Sequence, residues 1–450
     1  MSNIALLSDS LENVVSGLGT AKDKAAQGTF RTDLLSRATL DALYVGSWVA
    51  GAVVDCVADD MTRAWRTWEA RPAQVEALEE AERTLKVRSA VARALKMSRL
   101  YGGGALYIGV AGDDPAEPLD LGRIGRGGLS YVVALTPWEL TAPELDRDPL
   151  SPHFGQAAYY MLNGAVTGAV RVHPSRVVRL VGLELLDRDQ ATVLGGWGLS
   201  VLQRVVDAVR HAESSGQAVA SLMQEAKTDI ISVPDLTNNA ADPTWVSAVL
   251  KRFALANVGK SINNALLLDA AETWTQRQVN FAGLPDVVRV FLDVCAGAAG
   301  IPVTRLMGKA PTGLSASADG EIRAYYDSLS SRQETDLRPA LEKLDEALIR
   351  HALGRRPKSV GYRFASLWQL SDTEKAAIAK TKAEASSLYA RNGLMDMTVL
   401  RAAVRSQLIE DGTYPGLADM QPPADPETLG EEAVVEGVEA GAQATVQERV

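Results

Sequence analysis

The four histidines are the first residues to consider for chemistry, and they are His153, His173, His211 and His351. None is followed by a second His, a Cys or a Glu at the spacing of a zinc-binding motif. We expect His211 to lie on a solvated helix face, and His351 to lie near a helix C-terminus, where partial positive charge is stabilised. The histidines therefore predict no metal centre.

Nucleophile and phosphate-binding motifs are also missing. The sequence contains no Gly-x-Ser-x-Gly elbow. The Tyr-Gly-Gly-Gly-Ala run at 101–105 follows a predicted helix and leads into a strand, whereas a phosphate loop runs from strand to helix and ends in Lys-Ser/Thr. The sequence thus predicts no catalytic residue and no cofactor.

Two acidic pairs could in principle hold metal ions. Asp113 with Asp114, and Asp146 with Asp148, have the composition that a two-metal nuclease uses. Each pair also lies in a segment rich in Gly, Pro and Asp, where aspartates commonly cap turns. Turn formation is the favoured interpretation.

One segment alternates basic and aromatic residues, as an RNA-binding surface would. It spans 62–68 and contains Trp65 and Trp68 close to Arg63 and Arg66. The favoured interpretation is the end of an amphipathic helix whose tryptophans cover a core. A contact between subunits is the second.

Composition and charge define the class of protein. The chain has 450 residues, 46% hydrophobic and 23% charged, which is ordinary for a folded protein with more than one substructure. The net charge is −10, and residues 412–450 alone carry −7. A protein that clamps nucleic acid tightly would instead show a basic patch.

Cysteines and apolar runs suggest a reducing compartment without a membrane. Cys56 and Cys295 each lie in an apolar run and are expected to be buried and unpaired. The N-terminus carries Asp9 and Glu12 and lacks the basic start of a signal peptide. The longest apolar run, 42–58, is shorter than the roughly 20 residues that a membrane span needs.

Periodicity predicts an α+β fold, with helices at both ends of the chain and β-prone runs between them. The strands at 105–110, 129–135, 157–162 and 176–182 are expected to form one small sheet. The helices are expected at 40–68, 74–100, 199–226, 286–300 and 321–353, the last bent at Pro339, with two more in 372–409 separated at Asn392–Gly393.

The order of these elements, together with several sequence words, resembles the portal proteins of tailed bacteriophages. The words are DDMTRAWRTW (59–68), RLYGGGALYIG (99–109), HPSRVVRLVG (173–182), WGLSVLQRVVDA (197–208) and the long run 280–339. The similarity covers about 40–410. It is closest to a portal-like family whose members sometimes carry a C-terminal anti-defence phosphodiesterase. No pair of His-x-Thr/Ser motifs is present, so that extension is not expected here, and the chain is expected not to be an enzyme.

The resemblance implies a ring of about twelve subunits at one capsid vertex, through which double-stranded DNA passes during packaging and ejection. The implied partners are the terminase large subunit, the major capsid and scaffold proteins and a head–tail adaptor, with no membrane. The protein would be located in the virion, or in the host cytoplasm during assembly of a phage or prophage.

The resemblance also implies a division of the chain. The expected parts are an N-terminal arm (1–39), a wing (40–198), a first stem helix (199–226), a clip (227–285), a second stem helix (286–303), a channel loop (304–320), a long wing helix with the following segment (321–370), crown helices (371–411) and a disordered acidic tail (412–450).

Candidate functional residues follow from this mapping. Lys309, Thr312, Ser315 and Ser317 would face DNA in the channel, with Lys309 the single cation of the stretch 307–320. The candidates for subunit contacts are Trp65, Trp68, Ala296 and Ala298.

Two other functions stay open at the level of sequence. One is a phage-encoded metal-dependent nuclease or phosphodiesterase, which would require clustered His, Asp and Glu. The other is a structural adaptor that is not a portal.

Overall fold

A computed structural model describes ten stretches of the chain, and every structural statement below concerns them. They are 33–151, 154–164, 168–225, 227–232, 241–263, 273–278, 283–308, 315–368, 372–394 and 396–410. The acidic tail and most of the N-terminal arm lie outside these stretches. Helices α1 to α13 and strands β1 to β10 are numbered along the chain.

The first predicted helix is in fact two helices and a strand. Helix α1 (Arg37–Gly46) and helix α2 (Trp48–Arg63) are bent by 94° at Ser47, whose hydroxyl accepts the Ala50 N–H at 3.1 Å. Helix α1 begins inside the predicted arm. Beyond α2 the chain enters strand β1 (Arg66–Glu69).

The described helices can be compared with the length and hydropathy that a membrane span requires. Among the described residues, no single helix is long and apolar enough to cross a membrane. The bent pair α1 and α2 meets the requirement by length and composition only.

The second predicted helix is also divided. Helix α3 (Pro72–Thr84) and helix α4 (Val87–Tyr101) are joined at Lys86, which takes a positive φ of 52°. Helix α4 ends at Gly102, as its sequence predicts, with φ 82°. A Cβ at Gly104 would lie 2.1 Å from the Ala94 carbonyl oxygen, so only glycine lets the following strand pack closely on α4.

The predicted single sheet is two separate sheets. The first has the order β3-β2-β7 and the second β4-β5-β6, and all neighbours are antiparallel. The run at 157–162 therefore does not join the other predicted strands. The strands are β2 (Gly103–Val110), β3 (Leu129–Leu135), β4 (Leu140–Leu145), β5 (Ala157–Gly164), β6 (Gly168–Val172) and β7 (Val177–Val181).

A long helix pair and an insert follow. Helix α5 (Arg188–Val193) leads to α6 (Leu202–Glu225), and α8 (Leu284–Ala299) packs against α6. Between them lie a two-stranded antiparallel sheet and one helix. These elements are β8 (Lys227–Ser232), α7 (Pro243–Asn263) and β9 (Thr273–Gln278). The apolar run NALLLD at 264–269, whose composition favours a strand, falls outside the described residues.

The long predicted helix is interrupted near its proline. Helix α10 (Ser315–Arg332) passes through a π-helical turn (Gln333–Leu337) into α11 (Arg338–Leu353). Pro339 lacks an N–H and its ring would clash with the carbonyl four residues earlier, so the wider turn relieves the clash. A short helix, α9 (Val303–Met307), precedes α10.

One extended core unites most of these elements. It is built on α2, α4 and α11, with side chains such as Val53, Val91 and Leu344 completely buried. Strand β10 (Gly361–Phe364) closes this unit by pairing antiparallel with β1. A smaller cluster lies between the two sheets around Tyr160 and Trp197. The predicted α+β class is confirmed.

The described residues from 372 onwards belong to a second unit, distinct from the one that ends at Trp368. Its described part contains α12 (Asp372–Arg391) and α13 (Met397–Glu410). Gly393 follows α12 with φ 60°, which confirms the predicted break at Asn392–Gly393.

Candidate DNA-channel and subunit-assembly site

Helices α6 and α8 form a packed pair through one side of α8. Cys295 and Ala296 are buried, at 0% and 2% exposure, and the ring of Phe291 lies 6.5 Å from that of His211 on α6. Burial raises the pKa of the Cys295 thiol to about 11. This confirms that Cys295 is a buried, unpaired residue.

The opposite side of α8 is apolar and exposed. Val287, Val290 and Val294 are 50%, 58% and 54% exposed. Their spacing of three and four residues places them on one helix face. Ala298 is exposed as well, which is compatible with its prediction as a contact residue. The predicted contact at Ala296 is wrong, because this residue is buried inside its own subunit.

Two glycines turn the chain sharply after α8. Gly300 caps the helix with φ 65°, and the Ile301 N–H donates to the Ala296 carbonyl at 3.1 Å. Helix α9 is then capped by Gly308 with φ 64°. The chain thus leaves the helix pair, makes one short turn of helix and reaches the segment 309–314.

A buried carboxylate on α2 fixes α9. Asp60 has no exposed surface. Its two carboxylate oxygens accept hydrogen bonds from Nε and Nη2 of Arg305 at 2.9 and 3.1 Å. Such a two-point contact fixes both position and orientation. The hydrogen bond to Asp60 raises the pKa of Arg305 further above its usual range, so the guanidinium stays charged.

Helix α10 and the π-helical turn are fixed on the same part of α2. The Tyr325 hydroxyl donates to Asp60 at 3.1 Å, and Gln333 Nε2 donates to the Met61 carbonyl at 2.7 Å. Burial, followed by the charge of Asp60, raises the pKa of Tyr325 well above its usual range. Elements before and after 309–314 are therefore held by one carboxylate. We call Asp60, Arg305 and Tyr325 the Asp60 anchor.

The structure places the predicted channel residues in two groups. Lys309 and Thr312 lie outside the described residues. Ser315 and Ser317 lie in the first turn of α10, so the predicted loop 304–320 is in part wrong. It contains α9 at its start and helix from Ser315 onwards, which leaves 309–314 between two helices.

A buried arginine explains the two tryptophans. The Arg66 guanidinium lies 5.1 Å from the ring of Trp65 and 4.5 Å from that of Trp68, and it forms ion pairs with Glu82 and Asp345. Trp65 and Trp68 are only 6% and 4% exposed. Their burial contradicts the prediction that they are subunit contacts and agrees with the interpretation that they cover a core. The predicted helix end is wrong, because α2 ends at Arg63 and Trp68 lies on strand β1.

A family model described as phage portal protein matches residues 38–388. The chain belongs to this family. The match includes all elements of the Asp60 anchor and both helices of the α6–α8 pair.

Several relatives of this portal family member extend over most of its length. An "Anti-CBASS protein Acb1" from Caulobacter sp. (strain RHG1) is 42% identical over 91% of this chain and 68% of its own. A protein of the same name from Sphingomonas paeninsulae is 36% identical, over 93% of this chain and 68% of its own. An uncharacterised protein from Haemophilus influenzae is 30% identical, over 91% of this chain and 92% of its own.

Solved structures show more distant likeness. The neck of a native gene transfer agent particle, with C12 symmetry, has 15% identity and a TM-score of 0.47, covering 88% of this chain and 98% of the other. An HK97-family phage portal protein from Corynebacterium diphtheriae has 10% identity and a TM-score of 0.36, covering 74% and 97%.

The histidines of this portal family member have structural surroundings. The His173 side chain caps a short 3₁₀ turn by accepting the Ser175 N–H. Nδ1 of His351 accepts the Leu129 N–H at 3.0 Å, and burial lowers its pKa. His351 lies in the last turn of α11, as predicted, but its lowered pKa favours the neutral ring over the charged one. His211 is exposed, as predicted, and His153 lies outside the described residues.

The acidic pairs form turns, as the favoured interpretation predicts. Asp146 accepts the Asp148 N–H at 2.9 Å and Asp148 accepts the Leu150 N–H at 3.0 Å. Asp114 accepts the Ala116 N–H, and Asp113 pairs with Arg176. Within the described stretches, no group of three or more His, Cys, Asp or Glu side chains could hold a metal ion.

The Asp60 anchor is the functional cluster that sequence reasoning missed. Its members lie in two of the words that carry the family resemblance, DDMTRAWRTW and the run containing IPVTRLMG. The sequence feature that could have revealed this anchor is a charged residue on an otherwise apolar helix face. Asp60 falls among Val53, Val57 and Met61, all buried, and a buried charge requires a partner.

Proposed function

We propose that the protein is a phage portal subunit that assembles into a ring of about twelve copies around a DNA channel at one capsid vertex. The observation that carries this proposal is the exposed valine face of α8 in a chain of the portal family. A face of this kind is covered when neighbouring subunits pack side by side in a closed ring.

The segment 309–314 is proposed to reach the channel. It is flanked by α9 and α10, both fixed by Asp60, so a short connection would be presented on a rigid base. Lys309 is its one cation and would contact the DNA backbone, while Thr312, Ser315 and Ser317 would offer neutral contacts. Twelve copies would carry a net charge of about −120, which keeps DNA from binding tightly.

Partners follow from this role. The ring would dock the terminase large subunit for packaging, the major capsid and scaffold proteins during assembly, and a head–tail adaptor afterwards. Hydrolysis of ATP would be the work of the terminase, since the sequence lacks the full phosphate-loop pattern Gly-x-x-x-x-Gly-Lys-Ser/Thr. The protein would occur in the host cytoplasm during assembly and then in the virion.

We infer that the chain itself has no enzymatic activity. Two relatives carry the name anti-CBASS protein, so phosphodiesterase activity is the competing function. Purified protein should not hydrolyse cyclic or linear oligonucleotides, with or without divalent metal ions. Turnover that co-purifies with the protein and is lost on substitution of His153 or His173 would contradict the inference.

Native mass spectrometry tests the ring directly. The protein should form a closed species of about twelve subunits, alone or with scaffold and capsid proteins, and electron microscopy of that species should show a central channel. A monomer at every concentration and with every partner would refute the portal role and leave the adaptor hypothesis.

A further inference from the structure

A cavity lies where several elements of the larger unit converge. Its volume is about 630 Å³, within the range of pockets that hold small ligands. The walls come from α2, α4, β7, the end of α8 and the π-helical turn. Leu180 and Leu337 are among the apolar wall residues.

The charged groups of this cavity are mostly basic. Four arginines line it, against two carboxylates, Glu184 and Asp336. Within the described part of the chain, none of the four guanidinium groups forms an ion pair. We call these four the arginine cavity residues: Arg99, Arg179, Arg204 and Arg332.

Arg99 brings a charge into the cavity that no acid neutralises. Its Nε and Nη2 donate to the carbonyls of Val54 and Val53 at 3.0 and 2.7 Å, which leaves Nη1 without an acceptor among the described residues. Burial, followed by the charge of Arg332, lowers the pKa of Arg99 to about 10. Two cations thus lie close together in a partly enclosed space, an arrangement that an anion would stabilise.

Arg179 also has an unused donor. Its Nη2 donates to the Gly196 carbonyl and its guanidinium lies 4.8 Å from the Trp197 ring, while its Nε is buried without an acceptor. A buried donor without a partner is costly unless a bound group or water satisfies it. Arg204 and Arg332 are exposed at the cavity, where they remain free to close on a ligand.

We propose that this cavity binds a small phosphate-bearing anion, from inorganic phosphate or pyrophosphate up to a mononucleotide. Several guanidinium groups match the multiple oxygens and the double charge of a phosphate better than they match a single carboxylate. The space is too small to admit a duplex.

Calorimetry at constant ionic strength tests the site, with phosphate, pyrophosphate and ATP as probes. Pyrophosphate and ATP should bind and should raise the melting temperature. The double variant Arg204→Gln/Arg332→Gln should weaken binding roughly tenfold or more. The matched control Arg93→Gln/Arg210→Gln removes two exposed arginines from the same unit, away from the cavity, and should leave affinity unchanged.

The affinities for the three probes distinguish an inorganic phosphate ligand from a nucleotide. Equal affinity for pyrophosphate and ATP would assign an inorganic ligand, and tighter binding of ATP would assign a nucleotide. Absence of binding by all three probes at millimolar concentration would overturn the proposal. Equal losses of affinity in the cavity and control variants would overturn it too. Citrate serves as a carboxylate probe, and tighter binding of citrate than of every phosphate would also contradict the proposal.

Discussion

Asp60 and Arg305 are 245 positions apart in the sequence, and a pair of hydrogen bonds of 2.9 and 3.1 Å joins them. The carboxylate is fully buried on α2, and the guanidinium belongs to α9, four residues before Lys309. The contact therefore fixes the place where the chain leaves the α6–α8 pair and approaches 309–314.

Asp60→Asn should destabilise the protein by about 3 kcal/mol, because it leaves Arg305 without its counter-charge and weakens the Tyr325 hydrogen bond. Chemical denaturation measures this. The neighbouring change Asp59→Asn is the control, since Asp59 is half exposed and pairs with Lys96 at the surface. It should cost less than about 1 kcal/mol. Equal losses in the free energy of unfolding of both variants would show that the anchor does not stabilise the fold.

Val290→Lys and Val294→Lys should prevent ring assembly while leaving the subunit folded. Both side chains are more than half exposed, so a lysine at either position is solvated in the monomer and opposes burial at an interface. Native mass spectrometry reports assembly, and the monomer melting temperature reports folding. Leu186→Lys, at a residue 99% exposed elsewhere, should assemble normally. Rings formed by both valine variants would exclude this face as the interface.

Lys309→Glu should impair DNA packaging or retention without affecting the ring. The substitution replaces the one cation of 309–314 by an anion, which repels the phosphate backbone. Lys309→Ala should have a smaller effect in the same direction. Lys358→Ala, at an exposed lysine, is the control. Normal packaging and retention by both Lys309 variants would show that this residue does not contact DNA.

His351 should titrate below the ordinary histidine pKa of about 6.5, because burial lowers its pKa and Nδ1 accepts a backbone N–H. The unfolded chain then binds the proton more readily. The stability from neutral His351 is present above about pH 6.5 and is lost as the pH falls through the lower folded pKa. NMR titration gives the pKa directly, and His351→Gln should flatten this part of the stability profile. A folded pKa above 6.5 would contradict the expectation.

Local signals in the sequence predicted local structure well. Helices α6 and α8 were expected within three residues of their observed ends, since both have strong apolar periodicity and α8 ends at glycine. Gly102 and Gly393 also mark breaks where predicted. These features depend on backbone preference and on residues nearby in the chain.

Features set by tertiary contacts were not predictable in the same way. The bend at Ser47 divides a continuous apolar pattern, and Trp65 adopts a φ of 46° between α2 and β1. The pattern at 157–162 could not reveal which sheet that strand joins. Partners such as Asp60 and Arg305 belong to distant segments, so the sequence alone could state that each needs a counter-charge but not which one.

The π-helical turn before Pro339 sets a rule for length changes in the chain. A turn of this kind holds one residue more than a regular helical turn, and each residue corresponds to about 100° of rotation. Deleting one residue from 333–337 would let α10 and α11 run on as a regular helix, but it would rotate Leu344 and Leu348 out of the core they now fill. Any insertion or deletion here would therefore need a compensating change of equal size. The number of residues between α10 and α11 is as constrained as their apolar composition.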